Sequence, residues 1–227
     1  MTERRFVQLG GVAGVLFFVT LLAGGIVEGN VPSLDGNIAK VTSFVTAHRH
    51  ALLATGIFGA VSMVFVLVFI ATLVQVTSEE GRASDQLPRI VGYAGTATAV
   101  CFALVQTPAT TVAILAAQPG GLQDTSLVRG LLDLSSVIEG PFYLMATLLA
   151  PAMGLVAVRR GIVRAWFGWL AAVVGIIIAA GGGIAMVAVA GGARSGTSGI
   201  GGFGLAVLVL ILSVTFLRTK VSAPTEA

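Results

Sequence analysis

The sequence predicts an all-α, polytopic integral membrane protein with six transmembrane helices. Hydrophobic residues make up 56% of the 227 residues and charged residues only 10%, whereas about 25% of the residues in a soluble domain are charged. The mean hydropathy is +0.99. Six apolar runs are each long enough to cross about 30 Å of hydrocarbon at about 1.5 Å per residue. So few charges cannot cover the surface of a soluble protein of this size, and we therefore expect the chain in a lipid bilayer.

The six runs are expected to form one membrane domain over residues 1–227. They lie at residues 6–27, 51–76, 90–117, 131–158, 165–190 and 200–217. The first run follows a short basic segment, as in a signal peptide. It is longer than the apolar region of such peptides, and no Ala-x-Ala cleavage site follows it, so we expect it to be retained as a helix.

The distribution of arginine and lysine predicts the orientation. With the N-terminus inside, nine basic residues fall on inner segments and four on outer segments, which favours a cytoplasmic position for both termini. The basic residues form no arm or stripe, so nucleic acid is not an expected partner. The excess of arginine over lysine is typical of GC-rich bacterial genomes, and the expected location is the bacterial cytoplasmic membrane. The inner set is Arg4, Arg5, Arg82, Arg89, Arg159, Arg160, Arg164, Arg218 and Lys220, and the outer set is Lys40, Arg49, Arg129 and Arg194.

The outer connection between the first two membrane helices is predicted to contain a short helix of its own. Ile38, Val41 and Val45 recur at helical spacing, with Phe44 beside them. Such an amphipathic segment is expected to lie at the membrane interface and to lead into the second transmembrane helix.

Glycine spacing predicts close helix packing. A residue repeated every seven positions stays on one helix face, and glycine there lets a neighbouring backbone approach closely. This packing could occur within the chain or between two copies of it, and the sequence leaves both open. The repeated glycines are Gly161, Gly168, Gly175 and Gly182 in the fifth helix, and the first helix carries Gly10 and Gly14 as a small-xxx-small pair.

Proline predicts kinks at matched depth in two helices. Pro108 in the third helix and Pro141 in the fourth each remove a backbone donor and free a carbonyl four residues earlier. Counted from the outer ends of their helices, both lie in the outer leaflet. Kinks at one depth can open a cavity or can simply let the helices curve around each other.

Polar side chains gather near these kinks and are the candidate ligand- or ion-binding residues. Glu139 lies deeper than Asp133, which is placed to pair with Arg129 four residues earlier. An acid inside a membrane faces the bundle interior, water or a hydrogen-bond partner. Glu139 is therefore either an ion, proton or ligand contact or a packing hydrogen bond between helices. The candidates are Glu139, Gln106, Thr107, Thr110, Ser136 and Tyr143.

Two histidines at the outer start of the second helix are weak candidates for a metal site. His48 and His50 are two positions apart, so their side chains point in nearly opposite directions on a helix. We therefore favour a role at the membrane interface over metal binding. Cys101 is the one cysteine of the sequence, which rules out an internal disulfide. No cofactor is expected.

Two segments resemble small six-helix actinobacterial membrane proteins that form a family of unknown function. One is the amphipathic segment from Asn37 to Arg49. The other is the basic turn at Arg164 followed by Trp166, Phe167, Gly168 and Trp169. The resemblance is in layout, covers nearly the whole chain and supports the fold and the membrane location. It implies no activity and no catalytic residues, and Ala165 stands where such proteins often have proline.

Three functions remain open on the sequence. The leading interpretation is a non-enzymatic membrane protein that binds a lipid-like or apolar ligand in an outer-leaflet cleft or a partner membrane protein, a second copy included. It rests on the lack of any catalytic or nucleotide-binding motif. The second is a small proton- or ion-coupled transporter that uses Glu139, with the two kinks as moving parts. The third is an outer-face metal-dependent enzyme that uses the two histidines and nearby acids.

Overall fold

The computed structural model describes residues 3–28, 38–78, 86–190 and 198–218, except for the side chains of residues 3–4, 136 and 183–201. Every regular element in these residues is a helix, which confirms the predicted all-helical class. The helices are α1 (Glu3–Glu28), α2 (Ile38–Thr77), α3 (Gln86–Leu115), α4 (Thr125–Arg159), α5 (Ala165–Ala190) and α6 (Ser198–Arg218). In the described residues, five helices are long and apolar enough to cross a membrane, and α6 contributes a shorter apolar stretch, Gly202–Arg218.

The helices run up and down and close into a ring. Each helix packs antiparallel on the preceding one, and α6 packs back on α1. The start of α1 and the end of α6 therefore lie at the same end of the bundle, here called the terminal end, and the opposite end is called the distal end. Large apolar side chains fill the centre of the ring, including Phe69, Leu73, Met153, Phe167, Leu212 and Phe216.

Glycine on α1 lets this helix sit close to two neighbours. Gly10 faces Thr72 on α2, and an added Cβ would lie 2.5 Å from the Thr72 Cβ. Gly14 faces Ser213 on α6 as well as Phe69 on α2, whose Cδ2 would be 2.9 Å away. Neither distance is tolerated between carbon atoms, so only a residue without a Cβ fits at these positions.

The glycine stripe of α5 packs on α4 within the same chain. Gly168 lies against Val158, Gly175 against Pro151 and Gly182 against Tyr143. An added Cβ at Gly175 would lie 3.0 Å from the Pro151 Cδ and 3.4 Å from the carbonyl oxygen of Thr147. The proline at 151 leaves that carbonyl without its helical partner, and glycine gives it room. The stripe therefore serves intramolecular packing.

The expectation for Gly161 was wrong. This residue precedes α5 and lies in the turn after α4, where it has a positive φ of 66° and nothing within 4 Å of an added Cβ. Its role is conformational, because an L side chain is strained at that φ.

A second apolar core lies at the distal end. Val41 and Val45 at the start of α2 are buried against Val112 of α3 and against Val128 and Leu132 of α4. The predicted helix at 38–47 is confirmed, and it joins α2 through a kink at His48 (φ −113°, ψ 18°). The apolar face of this helix packs against α3 and α4 and is not exposed. We call this group of segments, residues 38–52 and 112–132, the cap.

The length of α2 places the cap outside the apolar belt of the bundle. The 40 residues of α2 span about 60 Å, roughly twice the thickness of a hydrocarbon core. Exposed large aliphatic side chains on α2 begin at Ile57 and on α4 at Leu134, with the exception of Leu127 in the first turn of α4. The segments before these positions therefore extend beyond the apolar belt of the bundle.

Candidate functional site

Two of the candidate residues on α3 face α2. The Gln106 Cγ would lie 3.4 Å from a Cβ at Gly59, and the Thr110 Oγ1 would lie 2.5 Å from one at Gly56. Both side chains thus fill the space left by glycines on α2. Gly56 and Gly59, which were not among the candidate residues, fix the direction of the two side chains.

The threonine hydroxyls of α3 bond within their own helix. Thr107 donates to the carbonyl of Ala103 and Thr110 to that of Gln106, each at 2.9 Å. Thr111 donates to the Thr107 carbonyl at the same distance. A threonine in a helix commonly satisfies its hydroxyl in this way, so these bonds leave the oxygens available only as acceptors.

A hydrogen bond between α4 and α3 was not foreseen. The Ser135 hydroxyl donates to the Val105 carbonyl at 2.8 Å, and Ser135 is 5% exposed. The ring of Phe142, two turns further along α4, lies 5.7 Å from that of Phe102. The buried Pro108 is in the same part of α3. At the predicted kinks, α3 and α4 are therefore joined by a hydrogen bond and by aromatic packing.

Tyr143 on α4 faces a third direction. Tyr143 is 4% exposed and packs on Gly182 of α5. Glu139, one turn earlier, is half-buried and makes at least one interaction of its own. The side chain of Ser136 lies outside the described residues. Gln106 and Thr110 thus face α2, Thr107 is exposed and Tyr143 packs on α5, so these four candidates do not converge on one site.

Asp133 and the histidines are at the distal end. The predicted ion pair is confirmed, with the Arg129 Nε 3.9 Å from the Asp133 Oδ2, and both side chains are more than half exposed. The His48 Nδ1 is 3.0 Å from the Phe44 carbonyl, which can only accept, so Nδ1 carries a proton. The Arg49 Nε donates to the His50 Nε2 at 3.2 Å. Within the described residues no three potential metal ligands of the His, Cys, Asp or Glu type come together.

The outward face of α3 differs from those of the other helices. It bears Tyr93, which is 76% exposed, together with the exposed Thr96, Val100, Ala103, Leu104 and Thr107. The hydroxyl of Thr96 has no hydrogen-bond partner among the residues that the structure describes. By contrast, the outward face of α4 carries Leu134, Val137, Leu144, Leu148 and Leu155.

The aromatic and basic residues of the terminal end also lie on the outside. Trp166 and Trp169 at the start of α5 are 55% and 77% exposed. Arg89, Arg159 and Arg164 are exposed at the same end of the bundle. Such a border of tryptophan and arginine is typical of the membrane-water interface.

Comparisons with protein-family models, with curated proteins and with solved structures found no match to this chain. The arrangement of side chains therefore stands alone as the basis for a functional proposal.

Proposed function

We propose that this chain is a multi-pass membrane protein that acts by binding, and that its partner is a helical membrane protein, a second copy included, held by the outward face of α3. The observation that carries the proposal is the character of that face. It offers the hydroxyl groups of Tyr93, Thr96 and Thr107 beside Val100 and Leu104, whereas α4 offers mainly leucine and valine.

Lipid is a poor partner for such a face. Tails of lipid cannot hydrogen-bond, so the Thr96 hydroxyl gains nothing from them, whereas a second helix can supply a partner. Between the tyrosine and Thr107, small residues at Thr96 and Ala103 let another backbone come close, which is how membrane helices gain van der Waals contact.

Other observations support a location in the bacterial cytoplasmic membrane with both termini inside. The exposed tryptophans and the exposed arginines share the terminal end, and positive charge collects on the cytoplasmic side of membrane proteins. We also propose that the chain is one of the small six-helix actinobacterial membrane proteins of unknown function. This assignment implies a bacterial source and implies no activity.

Photocrosslinking in bacterial membranes tests the proposal. A benzoylphenylalanine at Val100 lies in the middle of the α3 face, and one at Leu144 lies in the middle of the α4 face and serves as the control. We expect a discrete adduct from position 100 and only lipid or diffuse products from position 144. An adduct of twice 23.0 kDa identifies a second copy, and any other discrete mass identifies a different partner.

The double variant Thr96→Leu and Thr107→Leu provides a second measurement. It turns the face into one like that of α4, and we expect the adduct at position 100 to disappear while the protein still folds. Equal adducts at positions 100 and 144, or an adduct that survives the double variant, would contradict the proposal.

A further inference from the structure

The cap contains an open groove of about 700 Å³ that lies apart from the α3 face. One wall is the first ten residues of α2, and the other is the connection between α3 and α4. The volume is within the range of about 300–1,000 Å³ that small-molecule sites occupy. The lining residues are Thr42, Ser43, Thr46, Ala47, Ala116, Gln118, Gly120, Gly121, Leu122 and Gln123.

None of the residues that line the groove is charged. A phosphate or carboxylate bound there would lose water without gaining a positive partner, and an ammonium ion would find no acid or aromatic ring. Transfer of an ion out of water without a counter-charge is unfavourable. The groove is therefore suited to a neutral ligand.

The hydroxyls of the α2 wall face the groove as acceptors. Thr42, Ser43 and Thr46 donate to carbonyls of their own helix at 3.1, 2.9 and 2.8 Å. Their protons are thus used, and the lone pairs of their oxygens remain available for a ligand that donates.

The opposite wall supplies groups of both kinds. Gln118 and Gln123 are exposed, and each amide can donate and accept. Between the polar groups lie the apolar side chains of Ala47, Ala116 and Leu122. A ligand that matches this wall has several hydroxyls alternating with C–H surface, which is the chemistry of a sugar.

The α3–α4 connection is held in place before any ligand binds. Its amides at 116, 117, 118, 121 and 123 each donate to a backbone carbonyl a few residues back. Gly120 has a φ of +75°, and an added Cβ at Gly121 would collide with the Leu115 carbonyl. Asp124 caps α4 by accepting from the amides of Ser126 and Leu127 at 3.1 and 3.0 Å. A wall built in advance lowers the entropy lost on binding.

We infer that the cap groove binds a neutral carbohydrate, either free in solution or as the headgroup of a glycolipid. Thr46 precedes Ile57, where exposed apolar side chains begin, by about 16 Å of helix. Both sources can reach a groove at that height. The inference is independent of the proposed function, since α3 association involves residues on a different surface.

The test uses the full-length protein in phosphatidylcholine nanodiscs. The probes are maltotriose and mannotriose in solution, digalactosyldiacylglycerol at one lipid in ten, and inorganic phosphate as a charged comparison. Saturation-transfer NMR detects the soluble probes, and native mass spectrometry detects retained glycolipid. The variants are Thr42→Val and Thr46→Val, singly and together, which keep the side-chain shape and remove the acceptor.

Thr20→Val is the matched control, because the Thr20 hydroxyl also donates to its own helix, at 2.7 Å to Leu16, but lies on α1. We expect each groove variant to weaken sugar binding about five-fold, the usual value of one hydrogen bond, and the control to bind like the wild type. Binding of the trisaccharides alone identifies a free sugar, and retention of the glycolipid alone identifies a headgroup.

Three results would overturn the inference. They are a lack of binding by all sugar probes, equal sugar binding by wild type and the Thr42→Val, Thr46→Val double variant, and tighter binding of phosphate than of sugar. A normal SDS unfolding midpoint of the same protein, read from the fluorescence of Trp166 and Trp169 on α5, would show that it is folded when any of these results is obtained.

Discussion

Gly182→Ala is the sharpest test of the α4–α5 packing. The added Cβ would lie 2.6 Å from the Cβ and 2.8 Å from the Cγ of Tyr143. The Cβ of Tyr143 moves only with the backbone of α4, so rotation of the side chain about χ1 cannot relieve this contact. The 2.6 Å contact is about 0.9–1.4 Å shorter than the optimal carbon-carbon separation of about 3.5–4.0 Å, which lies deep in the repulsive part of the potential.

The expected magnitude comes from comparison with Gly130→Ala. Gly130 is exposed on α4, and nothing lies within 4 Å of an added Cβ there. Both substitutions gain the same helix propensity, about 1 kcal/mol, so this gain cancels in the difference between them. What remains is the cost of overpacking, about 1–3 kcal/mol. Gly168→Ala should cost less, because its added Cβ would lie 3.3 Å from the Val158 Cγ2, a methyl group that can shift.

Reversible unfolding in mixed dodecylmaltoside and SDS micelles measures these differences. Trp166 and Trp169, both on α5, report its separation from the bundle by their fluorescence. We expect Gly182→Ala to unfold at the lowest SDS fraction, then Gly168→Ala, then Gly130→Ala. If Gly182→Ala and Gly130→Ala unfold at the same SDS fraction, the close packing of α5 on α4 described above is wrong.

Three further predictions concern single side chains, and the first is measured in the same micelles. Ser135→Ala removes the bond to the Val105 carbonyl and should destabilise the fold by about 0.6–1.7 kcal/mol, whereas Thr107→Ala, which loses a bond within α3 only, should unfold like the wild type. Asp124→Ala should lower the unfolding temperature at pH 7. The Ser126 hydroxyl lowers the pKa of the Asp124 carboxyl, so the carboxylate stabilises the fold above the ordinary carboxyl pKa, and this stabilisation is lost as the pH falls through the lowered pKa. The wild type and Asp124→Ala should therefore unfold at the same temperature at the acid end of that titration. A difference in unfolding temperature that persists there would contradict the assignment. Glu139→Gln should leave the decay of a pH gradient across proteoliposomes unchanged, and a slower decay would favour the transporter interpretation over association.

The helical class was predictable because length and apolarity are local properties. A run such as 131–158 shows both without reference to its neighbours. The partner of the α5 glycine stripe was not predictable, since Gly175 could face α4 or a second copy with equal advantage. Only the register between α4 and α5, which places Pro151 opposite Gly175, decides the question.

The candidate site was predictable in depth and not in direction. Counting residues along α3 and α4 places Gln106 and Tyr143 in the same leaflet. Rotation about each helix axis then turns Gln106 toward Gly59 of α2 and Tyr143 toward Gly182 of α5. The rotation of each helix is determined by how α2, α3, α4 and α5 pack together, and it cannot be predicted from the sequence of one helix. The apolar spacing of the cap helix had the same ambiguity, because it suits lipid and protein equally well.

The pairing of α1 with α6 has a consequence for biosynthesis. Gly14 meets Ser213, a residue translated about 200 positions later, which corresponds to roughly 10–40 s of synthesis at 5–20 residues per second. During that interval α2 can cover one side of α1, while the side that faces α6 has no partner yet. The ring closes only when the last helix has been made, so α1, the first helix synthesised, is among the last to acquire its final neighbours.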